Sequence, residues 1–152
     1  MEHEIQVREI PAQLALTVHA RVSLATIPQG MGEAFGAIMA HARAGGGEFA
    51  GAPFCLFPEA PGEDFGIVVC MPVAPGATAG EGVELEEVPG GSMATTVHKG
   101  PYAAMEETYR AMEVWIAANG KRPDGPPREV YLNDAMTVPE SELLTEIDWP
   151  VA

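Results

Sequence analysis

A chain of 152 residues, 47% of them hydrophobic, can bury a core without disulfide or metal staples, since a domain of this size hides roughly 68–70% of its unfolded surface. Its 22 acidic and 8 basic residues give a formal charge of −14, which repels phosphate backbones and argues against a nucleic-acid partner; such a charge either serves solubility or draws in cationic ligands. No apolar run approaches the ~20 residues of a membrane span, and the start Met1-Glu2-His3-Glu4 is acidic where a leader is basic, so a cytoplasmic protein that meets no membrane is expected.

The first strand is predicted over Ile5–Ile10, where apolar and polar residues alternate, and the second over Leu14–Leu24, rich in Leu, Val and Thr. A helix follows over Met31–Arg43 with Met31, Phe35, Ile38 and Ala42 on one stripe, and Gly45-Gly46-Gly47 stops it. That glycine run lacks the Lys-Ser/Thr of a phosphate loop. Gly51-Ala52-Pro53 opens a short strand reaching Phe57, and Ile67–Val73 closes the first half. Ala74–Gly82, built of Pro, Gly and small residues, reads as a linker.

The second half repeats the first. Strands are predicted over Val83–Val88 and Ser92–His98, and Gly100-Pro101 opens a helix whose stripe is Met105, Tyr109, Met112 and Ile116. Asn119-Gly120 caps that helix, Gly125-Pro126-Pro127 leads into the strand Arg128–Leu132, and Thr145–Val151 ends the pattern. Glu9-Ile10-Pro11 matches Glu87-Val88-Pro89, His19 matches His98, and Phe57 matches Tyr131. Order, spacing and element type all recur, which identifies a duplication with copies at 4–73 and 83–151 within one domain, 1–152. The expected architecture is α+β: a curved antiparallel sheet, two helices on one face, and a ligand cavity between the copies.

Cys55 and Cys70 lie in apolar runs as ordinary thiols, and the four histidines (His3, His19, His41, His98) are scattered, so neither cofactor nor metal is expected. The chemistry concentrates in Arg128-Glu129-Val130-Tyr131-Leu132. If Val130 and Leu132 face the helices, alternation turns Glu129 and Tyr131 together to the uncovered side. Glu129 stands where the first copy has Cys55, so one copy carries a carboxylate in place of a small apolar group. A buried carboxylate needs a partner or a proton. Either Glu129 receives a cationic or hydrogen-bond-donating ligand, or it pairs with Arg128 or Lys99, or it sits exposed on an edge.

Tyr102 follows the His98-Lys99-Gly100-Pro101 turn and can lean over a cavity mouth or pack. Trp115 falls near the helix stripe and is expected in the core; Trp149 lies near the end of the last strand, where it either packs or faces a ligand. Tyr102, Tyr131 and Trp149 could cage a cation above Glu129. No serine elbow or activated cysteine occurs. The one catalytic arrangement, if there is an enzyme, is Glu129 as acid or base with Tyr102 as hydrogen-bond donor.

Taken together, His98-Lys99-Gly100-Pro101-Tyr102, Trp115-Ile116, Gly120, Glu129-Val130-Tyr131, Thr145-Glu146-Ile147 and Pro150-Val151 resemble the GyrI-like family, which includes the effector-binding domains of bacterial drug-responsive transcription activators. The likeness runs over nearly the whole chain, although the first copy has Ala20-Arg21 in place of the Gly-Pro-Tyr turn. It implies a cavity for bulky, lipophilic and often cationic molecules. Glu129 would form its acidic floor, and Tyr102 and Tyr131 its walls; Phe57 and Trp149 are further candidate ligand-binding residues on this sequence's own pattern. Some stand-alone members hydrolyse cyclopropane-bearing alkylating compounds with that glutamate and a tyrosine, and others bind DNA gyrase. Activator members add a helix-turn-helix domain, for which Met1–Val73, filled by the first copy, leaves no room. A stand-alone binder of lipophilic cations is the leading expectation. A hydrolase of strained electrophiles and a module docking on a protein partner are the alternatives.

Overall fold

Segments rich in Val, Ile, Leu and Thr become inner strands, while the charged segments QVREI and ELEEV become outer ones. The computed structural model describes residues 4–152, so Met1, Glu2 and His3 lie outside the described residues. The strands are β1 (Gln6–Ile10), β2 (Gln13–Val22), β3 (Phe54–Leu56), β4 (Phe65–Pro72), β5 (Glu84–Val88), β6 (Gly91–Lys99), β7 (Arg128–Tyr131) and β8 (Leu144–Pro150). The helices are α1 (Ile27–His41) and α2 (Met105–Ala118), the latter entered through a 3-10 turn at Tyr102–Ala104. The α+β class is therefore as expected, with antiparallel pairing throughout the described ladders.

The chain divides into two compact units, one holding the residues up to Ile10 with Gly91–Ala152, the other Pro11–Gly90. Strand order in the first is β1-β6-β8-β7, and in the second β5-β2-β4-β3. The order is the same, but each sequence copy gives its opening strand to the other copy's unit: β1 pairs β6, and β5 pairs β2. Only two residues separate β1 from β2 and β5 from β6, with Pro11 and Pro89 falling in those links, yet these sequence neighbours belong to different units.

In the first unit Met105, Met112 and Ile116 of α2 pack on Ala94, Ile147 and Val151, with Tyr109, Trp115 and Trp149 against them. The predicted α2 stripe is thus the buried face, and Trp115 belongs to the core as expected. In the second unit Leu16, Ile38, Phe54, Phe65, Ile67 and Val69 are fully buried. Helix α1 begins four residues ahead of the predicted Met31, because Pro28 sits in its first turn after the Ser23–Thr26 hydroxyl pair. It then widens over Ala42–Gly46 and ends where Gly45 takes φ +93°, a conformation that costs glycine nothing. In the segment 74–82, Ala74 N–H donates to the Glu48 carbonyl and Thr78 N–H to that of Gly46.

Candidate functional site

Strand β7 is four residues long, and its register decides where Glu129 points. Glu129 stands opposite Ile147, a fully buried residue of the α2 core, while Arg128 stands opposite Asp148 on the other face. Glu129 and Tyr131 therefore face α2, the reverse of the expected orientation. Hydrophobicity had assigned Val130 and Leu132 to that side, yet Leu132 is 44% exposed. A phenol from the helix reverses the preference by offering the carboxylate a partner.

That phenol is Tyr109. Its hydroxyl donates to Glu129 Oε2 at 2.8 Å, and the Tyr131 hydroxyl donates to Oε1 at 3.3 Å. Sequence reasoning placed Tyr109 only on an apolar stripe, although a tyrosine at a core-facing position must find a partner for its hydroxyl. Neither predicted cationic partner is used: Lys99 lies 3.4 Å from Glu142, and Arg128 alternates away. Glu129 is partly buried, and burial pushes its carboxyl above the usual range against the opposing pull of the two phenols. Removing the Tyr109 hydroxyl takes away one group that favours the charged form. Tyr109→Phe is accordingly expected to raise the Glu129 pKa further, seen as a later carboxyl 13C inflection in an NMR pH titration.

The rings are arranged around this carboxyl. Tyr102 meets Tyr131 edge to face at 6.0 Å and 71°, and Tyr109 meets Trp149 likewise at 5.7 Å and 77°. Burial raises the pKa of the Tyr102 hydroxyl, as do the nearby charges of Glu129 and Asp134. Tyr102 keeps 46% of its surface exposed, whereas Tyr109 packs against the α2 core. The hydroxyls that bond Glu129 are those of Tyr109 and Tyr131, and Tyr102 meets the cluster through its edge-to-face contact with Tyr131. Phe57 belongs to the other unit, one residue beyond β3, and is partly buried.

The turn carrying Tyr102 is fixed from below. Buried His98 donates from Nε2 to the Pro101 carbonyl at 3.0 Å, since a carbonyl can only accept, and Nδ1 pairs with the Thr108 hydroxyl at 2.7 Å. Gly100 holds φ +125°, which side-chain-bearing residues rarely adopt, and its N–H donates to Leu143 O. His98, Gly100 and Pro101 thus set where Tyr102 begins the helix. Two open surface concavities lie elsewhere: about 790 Å³ beside Gln6, Arg8, Thr95 and Glu146, and about 470 Å³ along Pro101, Glu106 and Arg110.

No curated protein matches the chain. Among solved structures, the EcmrR C-terminal domain superposes with a TM-score of 0.84 at 22% identity, over 100% of this chain and 99% of that one. The longer EcmrR chain in its complex with DNA gives 0.85 at 20%; this chain covers 98% of its own length and spans 57% of that chain. A hydrolase encoded by lin2189 from Listeria innocua gives 0.75 at 15%, over 98% and 92%. SAV2435 bound to tetraphenylphosphonium gives 0.59 at 14%, over 100% and 94%. At these identities the structures establish a shared fold. A family model described as the GyrI-like small molecule binding domain matches residues 3–152, and the chain therefore belongs to the GyrI-like family.

Proposed function

We propose that this small-molecule-binding domain receives bulky lipophilic cations at the Glu129 cluster. The observation that carries the reading is a partly buried carboxylate whose only described hydrogen-bond partners are two phenols, with the rings of Tyr102 and Trp149 beside them. A cation entering there gains Coulomb attraction from Glu129 and ~0.5–2 kcal/mol from each aromatic face it meets when desolvated. The phenol hydroxyls polarise the carboxylate and stay bonded to it while the ligand binds. That SAV2435, of the same fold, is bound to tetraphenylphosphonium supports the class of ligand. The charge of −14 argues against nucleic acid as the ligand.

The test is a titration of the protein with tetraphenylphosphonium, read by calorimetry and by the fluorescence of Trp115 and Trp149. Saturable one-to-one binding in the micromolar range is expected, together with a change in tryptophan emission because Trp149 meets Tyr109 edge to face. Absence of heat and of any emission change up to millimolar ligand would overturn the reading.

The same atoms favour one second reading, hydrolysis of strained electrophiles of the cyclopropane type. A carboxyl whose pKa is raised by burial holds a proton more readily than an exposed glutamate, and a phenol beside it can donate a hydrogen bond to a departing or developing oxygen. The likeness to the Listeria hydrolase is compatible with it. Product formation that disappears in Glu129→Gln separates turnover from binding.

A further inference from the structure

The second unit carries a cluster that the ligand-binding reading leaves unused. Glu84 and Glu86 are two residues apart on β5, so they project from the same face, and β5 pairs with β2 through Thr17↔Glu84 and Ala15↔Glu86. On β2 the same alternation brings His19 to that face. The imidazole Nε2 lies 3.2 Å from Glu84 Oε2 and 2.9 Å from Glu86 Oε2, and one ligand atom from each residue falls within 4.8 Å of the other two. We infer that His19, Glu84 and Glu86 form a binding site for a borderline divalent ion of the Zn2+ kind.

The geometry suits an ion. Nitrogen and carboxylate ligands held ~2.0–2.2 Å from a tetrahedral zinc lie about 3.3 Å from one another, so the two spacings from His19 need to open by only a few tenths of an ångström. The donor set, one imidazole and two carboxylates, suits Zn2+ better than Mg2+ or Ca2+, which prefer all-oxygen shells. Glu86 is held from behind by the hydroxyl of fully buried Thr17, which donates to its Oε2 and fixes its rotamer. Charge points the same way: the two carboxylates carry −2, which a divalent ion cancels. The neighbouring cation, Arg21, is already engaged by Glu59 and Asp64.

The duplication adds a contrast. His98, the counterpart of His19, is buried and spends both ring nitrogens on Thr108 and Pro101. His19 instead keeps 53% of its side chain accessible and directs Nε2 between two carboxylates that the other copy's strand, β1, does not supply in the same pair. The rival occupant of the same place is a proton, giving an imidazolium bridged by two glutamates.

The test uses the untagged full chain stripped with a chelator and titrated with ZnCl2, then with MgCl2, at pH 7.5. One Zn2+ per chain is expected at micromolar Kd, with a zinc-dependent rise in Tm and a shift of the His19 ring resonances by NMR, and at least a hundredfold weaker response to Mg2+. His19→Ala and Glu86→Gln are exposed or surface-facing changes that leave the core intact, and each is expected to weaken zinc at least tenfold. Zinc binding unchanged in both variants overturns the assignment. So does a protein in which these variants shift stability with pH while zinc moves neither Tm nor the His19 resonances, the signature of the bridged imidazolium alone.

Discussion

Glu129→Gln is expected to weaken tetraphenylphosphonium binding at least tenfold at pH 8, about 1.4 kcal/mol, and to abolish the pH dependence that the native protein shows. Glutamine keeps the shape and can still accept from a phenol, so the variant removes charge while leaving the rings of Tyr102, Tyr131 and Trp149 in place. The pH dependence has a defined sign. Burial raises the Glu129 pKa, so the native carboxyl carries a proton at pH values where an exposed glutamate has lost it. Affinity for a cation therefore climbs as pH rises through that raised value and levels off once the carboxylate is ionised. Calorimetric titrations at several pH values check both parts. A native affinity that is flat with pH, or an unchanged affinity in Glu129→Gln, would assign binding to the aromatic rings alone.

The empty protein should respond in the opposite sense. With its folded pKa above the unfolded one, Glu129 binds protons more tightly in the folded state, so its contribution is fully present below the unfolded value and is lost as pH rises through the folded one. The charge that recognises a cation is thus a cost to the fold until the cation arrives. This is the usual relation between a binding site and the stability of its scaffold.

How much of this was legible beforehand follows from which residues signal through neighbours in sequence and which through neighbours in space. The α2 stripe, the closing strands and the turn at Gly100-Pro101 could be read because periodicity and turn chemistry are local. The facing of Glu129 could not. Alternation says that Glu129 and Tyr131 share a side, but which side depends on the register Glu129↔Ile147, a pairing across 18 residues of chain. Apolar Val130 made the wrong side look correct, and Tyr109 corrects it from a helix 20 residues away. The exchange of β1 and β5 was hidden for the same reason: a repeat in sequence shows equivalent strands and is silent on which copy each one pairs with. The His19 cluster was missed because its members come from two strands more than sixty residues apart.

Asp148→Asn is expected to flatten the native protein's loss of stability between about pH 4 and pH 7 and to leave the variant about 2–4 kcal/mol more stable at pH 8. Asp148 is 2% exposed on the face of β8 opposite Ile147, across from Thr95 and Arg128. Burial raises its pKa from 3.8 to about 7, and the charge of Glu146 and a hydrogen bond shared with it add to the rise, against the opposing charges of Arg128 and Arg8. Because the folded value exceeds the unfolded one, the folded state holds the extra proton between the two. Stability from this group is whole below about pH 4 and drains as pH climbs toward 7, at up to about 1.4 kcal/mol per unit. Asparagine resembles the protonated acid: it can still donate to Glu146, and it never has to ionise in a buried place. Arg128 pulls the other way, since an ionised Asp148 faces it, but a pKa that remains raised shows that desolvation and Glu146 outweigh that attraction. Carboxylates held by basic partners elsewhere, such as Glu59 with Arg21, slope in the opposite direction, so the difference between the native and variant curves is the quantity to measure. Glu146→Gln supplies the complementary check. Without the neighbouring charge Asp148 ionises more readily beside Arg128, and the native decline should move to lower pH. Urea unfolding of the three proteins from pH 4 to pH 8 decides the matter: parallel curves would show that Asp148 titrates alike in the folded and unfolded chains, and that the acid pair has no hold on the fold.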